Sequence, residues 1–251
     1  MRRTKIIATL GPATHSREMI RELIAAGMDV ARLNFSHGTH EEQRAMLQAV
    51  RAEADAAGKP VAVLADLQGP KLRTGPLARE APSVELVAGR EFVLTNVPVE
   101  GNAERVSTNY EPMPRDVRPG DRVLLSDGQI QLRVVSANEH DVVTEVVQGG
   151  MLRPRQGINL PGVGLSLAIP TPKDVEDLSF ALEQGADYIG VSFVQRAGDI
   201  RRVKDLIEQE GHDTPIVAKL EKPEAVDNLD EILRVTDAVM VARGDLGVEL
   251  P

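Results

Sequence analysis

At 251 residues, 42% hydrophobic and 27% charged, with 21 Gly and 16 Pro, the chain has room for a sizeable core, which excludes collagen-like, low-complexity and disordered classes. Its 38 acidic against 29 basic side chains leave a net charge of -9, which repels polyanions and argues against nucleic acid, so any phosphorylated ligand needs a local basic site. The absence of Cys removes disulfides, thiolate zinc sites and thiol nucleophiles and points to the cytoplasm, while no apolar run nears the roughly 18 residues of a membrane span or forms a signal peptide.

In chain order, Thr4–Leu10 reads as a buried strand ended by Gly11-Pro12, and Ser16 caps a helix whose Met19, Ile20, Leu23 and Ile24 share a face closed by Gly27. Val30–Phe35 is a second strand, His40–Ala57 a helix stopped by Gly58, and Val61–Leu67 a third strand. Residues 76–172 hold ten of the sixteen prolines and alternate in period two, with Asp127-Gly128 as a hairpin turn between two such runs. The α/β pattern then resumes: helix Lys173–Gln184, strand Tyr188–Phe193, helix Asp199–Gln209, strand Ile216–Leu220, helix Pro223–Val235 and strand Ala238–Val241.

This alternation predicts a parallel α/β barrel of the (β/α)₈ TIM type, incomplete at six of eight strands, with an inserted all-β barrel acting as a lid. The expected divisions are residues 1–75 and 171–251 for the barrel and 76–170 for the insert, with Gly- and Pro-rich hinges at Thr74-Gly75-Pro76 and between Gly157 and Pro172. The chain is expected to stop directly after a strand, leaving an open sheet edge and a truncated barrel.

Functional groups of parallel α/β folds sit at the C-terminal ends of strands, and these ends are polar here. Arg32-Leu-Asn34-Phe-Ser36-His37, Asp66-Leu-Gln-Gly-Pro-Lys71-Leu-Arg73, Lys219-Leu-Glu221 and Arg243-Gly244-Asp245 would gather five cations against Asp66, Glu221 and Asp245. Guanidinium and ammonium groups suit phosphate oxygens, and carboxylates can hold a divalent cation, so the set fits phosphoryl transfer. Glu221 and Asp245 are the metal candidates and Arg32 the phosphate candidate; a structural ion-pair cluster is the alternative. No Walker loop, no G-x-G-x-x-G after a strand and no zinc-like His spacing occurs.

The segments Thr4-Lys-Ile-Ile-Ala-Thr-Leu-Gly-Pro, Arg32-Leu-Asn-Phe-Ser-His-Gly, Gly69-Pro-Lys-Leu-Arg-Thr-Gly, Gly157-Ile-Asn-Leu-Pro-Gly, Asp187-Tyr-Ile-Gly-Val-Ser-Phe-Val, Ala218-Lys-Leu-Glu and Met240-Val-Ala-Arg-Gly-Asp-Leu-Gly-Val-Glu make the chain resemble the pyruvate kinase family along its whole length. The resemblance implies phosphoryl transfer from phosphoenolpyruvate to ADP, giving pyruvate and ATP in glycolysis, with Mg²⁺ or Mn²⁺ as cofactor and a homotetrameric intact enzyme. It assigns Arg32 to the substrate phosphate, Lys219 to the phosphoryl group in flight and the enolate, and Glu221 and Asp245 to Mg²⁺. The Gly244 and Asp245 amides would hold the substrate carboxylate, and Asn34, His37, Arg73 and Gln156 the nucleotide.

Three departures from the family pattern stand out. The resemblance implies a monovalent-cation site at Asn34, Ser36, Asp66 and the carbonyl of Leu67, but Lys71 stands where potassium-dependent members have Glu, so an internal ammonium predicts K⁺ independence even though Thr74 fits the potassium-dependent pattern. Gln156 replaces a common Lys near the nucleotide, with Arg153 and Arg155 as substitutes, and Glu42 replaces an aromatic at the adenine. The family's last two βα units and C-terminal domain have no counterpart here, so the fragment itself is expected to lack turnover. Two other readings compete: a Mg²⁺-dependent pyruvate-enolate aldolase or lyase, and a non-catalytic nucleotide-binding fragment.

Overall fold

The computed structural model describes residues 3–78 and 81–249. In chain order its elements begin β1 (Ile7–Leu10), α1 (Arg17–Ala26), β2 (Val30–Asn34), α2 (His40–Ala57), β3 (Ala62–Asp66), β4 (Val84–Leu86), β5 (Glu91–Thr95), β6 (Arg105–Ser107), α3 (Met113–Asp116), β7 (Arg122–Leu125) and β8 (Ile130–Ala137). They continue β9 (Asp141–Gln148), β10 (Gly150–Leu152), β11 (Ile158–Asn159), α4 (Pro172–Glu183), β12 (Tyr188–Val191), α5 (Ala197–Gln209), β13 (Ile216–Leu220), α6 (Pro223–Asp227), α7 (Leu229–Leu233), β14 (Ala238–Val241) and α8 (Arg243–Glu249). The chain forms two compact units, one running up to Pro70 and again over Ala168–Ala242, the other over Lys71–Leu167 and from Arg243 onward.

In the first unit, capping chemistry starts and stops α1 and α2 where the sequence predicts. Ser16 Oγ accepts from the Met19 amide and Gly27 ends α1 at φ 106°. Thr39 and Glu42 form a capping box on α2, which Gly58 closes at φ 60°. Strands β1, β2, β3, β12, β13 and β14 lie side by side in that order, every pair parallel. The inner strands β3, β12 and β13 are short and mostly buried, and β13 is buried at all five positions. Ile20, Ile24, Val50, Val63, Leu178, Ile189, Ile200, Val203 and Ile216 lie in the resulting core at 0% exposure, which ties the helices to the sheet.

Among the described residues the sheet does not close on itself. β14 pairs on one side only, and Val239 and Val241 are 39% and 57% exposed, the open edge the sequence predicts. Two expectations need correction. The segment expected as one helix from Pro223 to Val235 is two short helices, broken at Asn228, whose side-chain amide donates to the Gln195 carbonyl at 2.9 Å. The chain also does not stop after β14: Arg243–Glu249 is helical, a segment whose Gly244 and Gly247 conceal its helical period.

The second unit is built on a sheet ordered β11-β7-β8-β9-β5-β6, with β4 and β10 forming an additional antiparallel pair. Its two edges are joined by the Arg73–Thr74 segment, since Arg73 bridges Gly157 beside β11 and Thr74 bridges Thr108 beside β6. On one side the Thr74 amide donates to the Gln156 carbonyl at 2.8 Å and the Ile158 amide to Leu72 at 2.9 Å; on the other Gly75 donates to Ser107 at 2.6 Å and Asn109 to Arg73 at 3.1 Å. The sheet thereby closes into an all-β barrel and loses its edges. Phe92, Leu94, Val106, Val123 and Leu125 fill it at 0% exposure. The β7–β8 hairpin turns through Ser126, Asp127 and Gly128 at φ 54°, 55° and 85°, the turn marked by Asp127-Gly128. Among the described residues no helix is long and apolar enough to cross a membrane.

Candidate functional site

Strand register brings four predicted residues of the first unit into one network. Thr9 pairs with Arg32 across β1 and β2, and Asn34 with Asp66 across β2 and β3. Lys219 and Glu221, two residues apart at the end of β13, project from the same side of the strand. Arg32 Nη1 donates to Thr9 Oγ1 at 2.8 Å and Nε to Asp66 Oδ2 at 2.7 Å. The Lys219 ammonium lies 3.1 Å from Asp66 Oδ1, 2.8 Å from Glu221 Oε1 and 2.7 Å from Ser192 Oγ. Two cations thus alternate with two carboxylates, and Asp66, Glu221 and Lys219 are 1%, 2% and 7% exposed.

Burial acts to lower the pKa of Lys219, as for any desolvated ammonium, but the charges and hydrogen bonds of Asp66 and Glu221 together outweigh it and hold the group above its ordinary value. The network is therefore a fixed pattern of buried charge.

Backbone geometry supports this pattern. Gly190 faces Asp66, where a side chain's Cβ would sit 3.2 Å from Oδ1 and 3.3 Å from Cα. Just past β12, Phe193 adopts φ 57°, a left-handed conformation unusual for a bulky residue, and its amide donates to Glu221 Oε2 at 2.8 Å. Gly69 at φ 66° approaches this corner so closely that a Cβ would stand 2.8 Å from both Ser192 Cβ and Phe193 Cδ2. Its amide is tied to Asp174 Oδ1 at 2.9 Å.

Asn34 ends β2, and Ser36 and His37 occupy the loop that follows it. Asn34 Oδ1 accepts from the Ser36 amide at 3.0 Å, and the buried Gln43 side chain donates to the carbonyls of Asn34 and His37 at 3.1 and 2.9 Å. His37 and Gln43 also line a cavity of about 190 Å³ together with Lys173 and Asp177. The Leu67 carbonyl, a predicted cation ligand, accepts from Ser192 Oγ at 2.7 Å.

The remaining predicted residues belong to the second unit. Arg73 and Gln156 sit at the barrel seam, where Arg73 Nη1 donates to the Arg155 carbonyl at 3.1 Å and Gln156 Oε1 accepts from Ser126 Oγ at 2.8 Å. The Lys71 carbonyl accepts from Asn109 Nδ2 at 3.0 Å. Gly244 and Asp245 are exposed near the start of α8, whose Glu249 accepts from Asn159 Nδ2 at 2.9 Å.

Thr9, Gly190, Ser192 and Phe193 are site residues that the sequence reading passed over. The strand Tyr188–Val191 has no charged residue at its end, so charge does not mark it as part of the site; its position in the βα cycle is the available signal.

A half-buried guanidinium and a buried ammonium ending parallel strands can neutralise a phosphorylated anion, and preorganised charge of this kind lowers the energy of a developing negative charge. Among the described residues no three His, Cys, Asp or Glu side chains gather into a cage for a metal ion. A hard ion such as Mg²⁺ needs only one or two protein carboxylates with substrate and water oxygens, and Glu221 offers such a donor.

The chain matches the family model described as pyruvate kinase, barrel domain, over residues 1–251. It is 49% identical over 251 residues to a pyruvate kinase of Mycobacterium intracellulare, covering 100% of this chain and 52% of that protein. A pyruvate kinase of Thermococcus litoralis is 45% identical, with 99% of this chain and 52% of that protein aligned. The crystal structure of a pyruvate kinase from Cryptosporidium parvum superposes with a TM-score of 0.93 at 37% identity, covering 99% of this chain and 52% of that one. The chain therefore spans about half the length of the relatives it matches, and it belongs to the pyruvate kinase family.

Proposed function

We propose that this chain carries the phosphoenolpyruvate site of a cytoplasmic, homotetrameric pyruvate kinase that transfers a phosphoryl group from phosphoenolpyruvate to ADP. The observation that carries this reading is the alternation of half-buried Arg32 with buried Asp66, Lys219 and Glu221 at the ends of parallel strands. Arg32 binds the substrate phosphate. Lys219 neutralises the phosphoryl group as the enol oxygen–phosphorus bond breaks and the ADP β-phosphate oxygen forms the new one, and it stabilises the enolate that a proton then converts to pyruvate.

Glu221 and Asp245 are the protein ligands of Mg²⁺, or of Mn²⁺ in its place, and the metal when bound supplies positive charge to the phosphate oxygens. The Gly244 and Asp245 amides take the substrate carboxylate. Asn34, His37, Arg73 and Gln156 bind the nucleotide, Arg153 and Arg155 contributing the charge that Gln156 lacks. The monovalent-cation position among Asn34, Ser36, Asp66 and the Leu67 carbonyl is served by the Lys71 ammonium, so K⁺ is not required.

Calorimetric titration of phosphoenolpyruvate into the 251-residue chain with Mg²⁺, beside Arg32→Ala, tests the reading. Saturable binding lost in the variant supports it; equal binding by both proteins refutes it.

A further inference from the structure

We propose that Ser192 is a positioning residue that fixes the Lys219 ammonium in the charge network; its effect on substrate binding rests on the function proposed above. The Ser192 hydroxyl donates its only proton to the Leu67 carbonyl at 2.7 Å, so toward Lys219, also at 2.7 Å, its oxygen acts as an acceptor. Its orientation is set by the fold. Ser192 is 3% exposed, the Leu67 amide is held by the Gly190 carbonyl at 2.9 Å, and a Cβ on Gly69 would stand 2.8 Å from Ser192 Cβ.

The other two acceptors of Lys219 are carboxylates, each with a competing cationic or amide partner: Arg32 on Asp66 and the Phe193 amide on Glu221. A divalent ion or a phosphate entering the network redistributes the pull of these carboxylates on the ammonium, because charge–charge terms are strong at this burial. A neutral hydroxyl locked by its own hydrogen bond does not change charge when the ions do. Ser192 therefore keeps Nζ in place while its charged partners exchange theirs.

Two measurements on the 251-residue chain test this. In ¹⁵N-labelled protein, an ammonium held by a hydroxyl and two carboxylates in a buried site gives a slowly exchanging Nζ–H resonance, assigned by its loss in Lys219→Arg. Ser192→Ala is expected to broaden or abolish that resonance, Ser192→Thr to retain it, and both variants to stay folded by circular dichroism. Phosphoenolpyruvate affinity with Mg²⁺ is expected to fall about tenfold in Ser192→Ala and about threefold or less in Ser192→Thr, the size of one lost hydrogen bond to a charged group. An unchanged Lys219 resonance in Ser192→Ala overturns the proposal, as does equal loss of the resonance in folded Ser192→Ala and Ser192→Thr proteins. If the resonance responds as expected while the wild-type chain binds no phosphoenolpyruvate, the positioning role holds and the assigned substrate fails.

Discussion

The Lys219 ammonium stands 2.8 Å from Glu221 Oε1 and 3.1 Å from Asp66 Oδ1, one cation bridging two buried carboxylates. Such a bridge is expensive to break from one side, because the remaining charges stay desolvated. Lys219→Met is predicted to lower stability by about 3 kcal/mol, the usual cost of removing one partner of a buried pair. Urea denaturation reads this directly, and a loss under 1 kcal/mol would show that water reaches the carboxylates.

Gly69→Ala combines a Cβ at 2.8 Å from Ser192 Cβ and Phe193 Cδ2 with a φ of 66°. Overpacking and left-handed strain together predict destabilisation of about 2 kcal/mol or more, with the Ser192–Phe193 corner displaced. The double variant Gly69→Ala/Phe193→Gly removes the ring and tolerates the positive φ at position 193, so it is expected to recover part of that loss. Additive losses in the double variant would mean the two residues do not press on one another.

In the all-β unit, Tyr110 is 1% exposed and its hydroxyl donates to Asp116 while accepting from the Ser166 amide at 2.9 Å. Burial first, and then the Asp116 carboxylate, push the phenol well above its ordinary range. A raised pKa in the folded state means the protonated form is favoured by folding. Its contribution is complete below the unfolded value of about 10 and fades as pH rises beyond it toward the folded value. The stability advantage of wild type over Tyr110→Phe should be constant from about pH 7 to 9 and shrink above about pH 10; an advantage that grows with alkalinity contradicts this ionisation.

Closure of the β-barrel rests on the Arg73–Thr74 segment pairing on both sides. Hydrogen exchange should find the amides of Thr74, Gly75 and Ile158 as protected as those inside the β8–β9 ladder. Thr74→Pro removes the donor to Gln156 and is expected to release all three amides at once, while exchange confined to Thr74 would show that the seam is not cooperative.

Lys71 in place of an acidic residue predicts that phosphoenolpyruvate affinity with Mg²⁺ changes less than about threefold between K⁺-free and K⁺-containing buffer. Lys71→Glu is expected to make binding K⁺-sensitive, since it removes the internal positive charge and adds a negative one. Equal K⁺ dependence in both proteins would remove Lys71 from that role.

Local signals in the sequence carry much of this fold. Ser16, Gly27, Thr39 and Gly58 punctuate helices through side-chain caps and left-handed glycines, effects that need no tertiary contact. The period-two runs locate β5, β7, β8 and β9, whereas β6, β10 and β11 span only two or three residues and have too few alternations to stand out. The break at Asn228 depends on Gln195, more than thirty residues away, and so is invisible locally. The charged site residues Arg32, Asp66, Lys219 and Glu221 were legible because charge ending an apolar strand is conspicuous. Ser192 and the Phe193 amide were not, because a neutral hydroxyl and a backbone donor gain meaning only from what they touch.

Calorimetry of phosphoenolpyruvate binding to the 251-residue chain with and without Mg²⁺, beside Glu221→Ala and with pyruvate formation from ADP followed in the same samples, probes the proposed site as a unit. A substrate site with Glu221 as metal ligand predicts saturable, Mg²⁺-dependent binding in the wild-type chain and its loss in a folded Glu221→Ala protein. Binding that ignores both the metal and the substitution would contradict it.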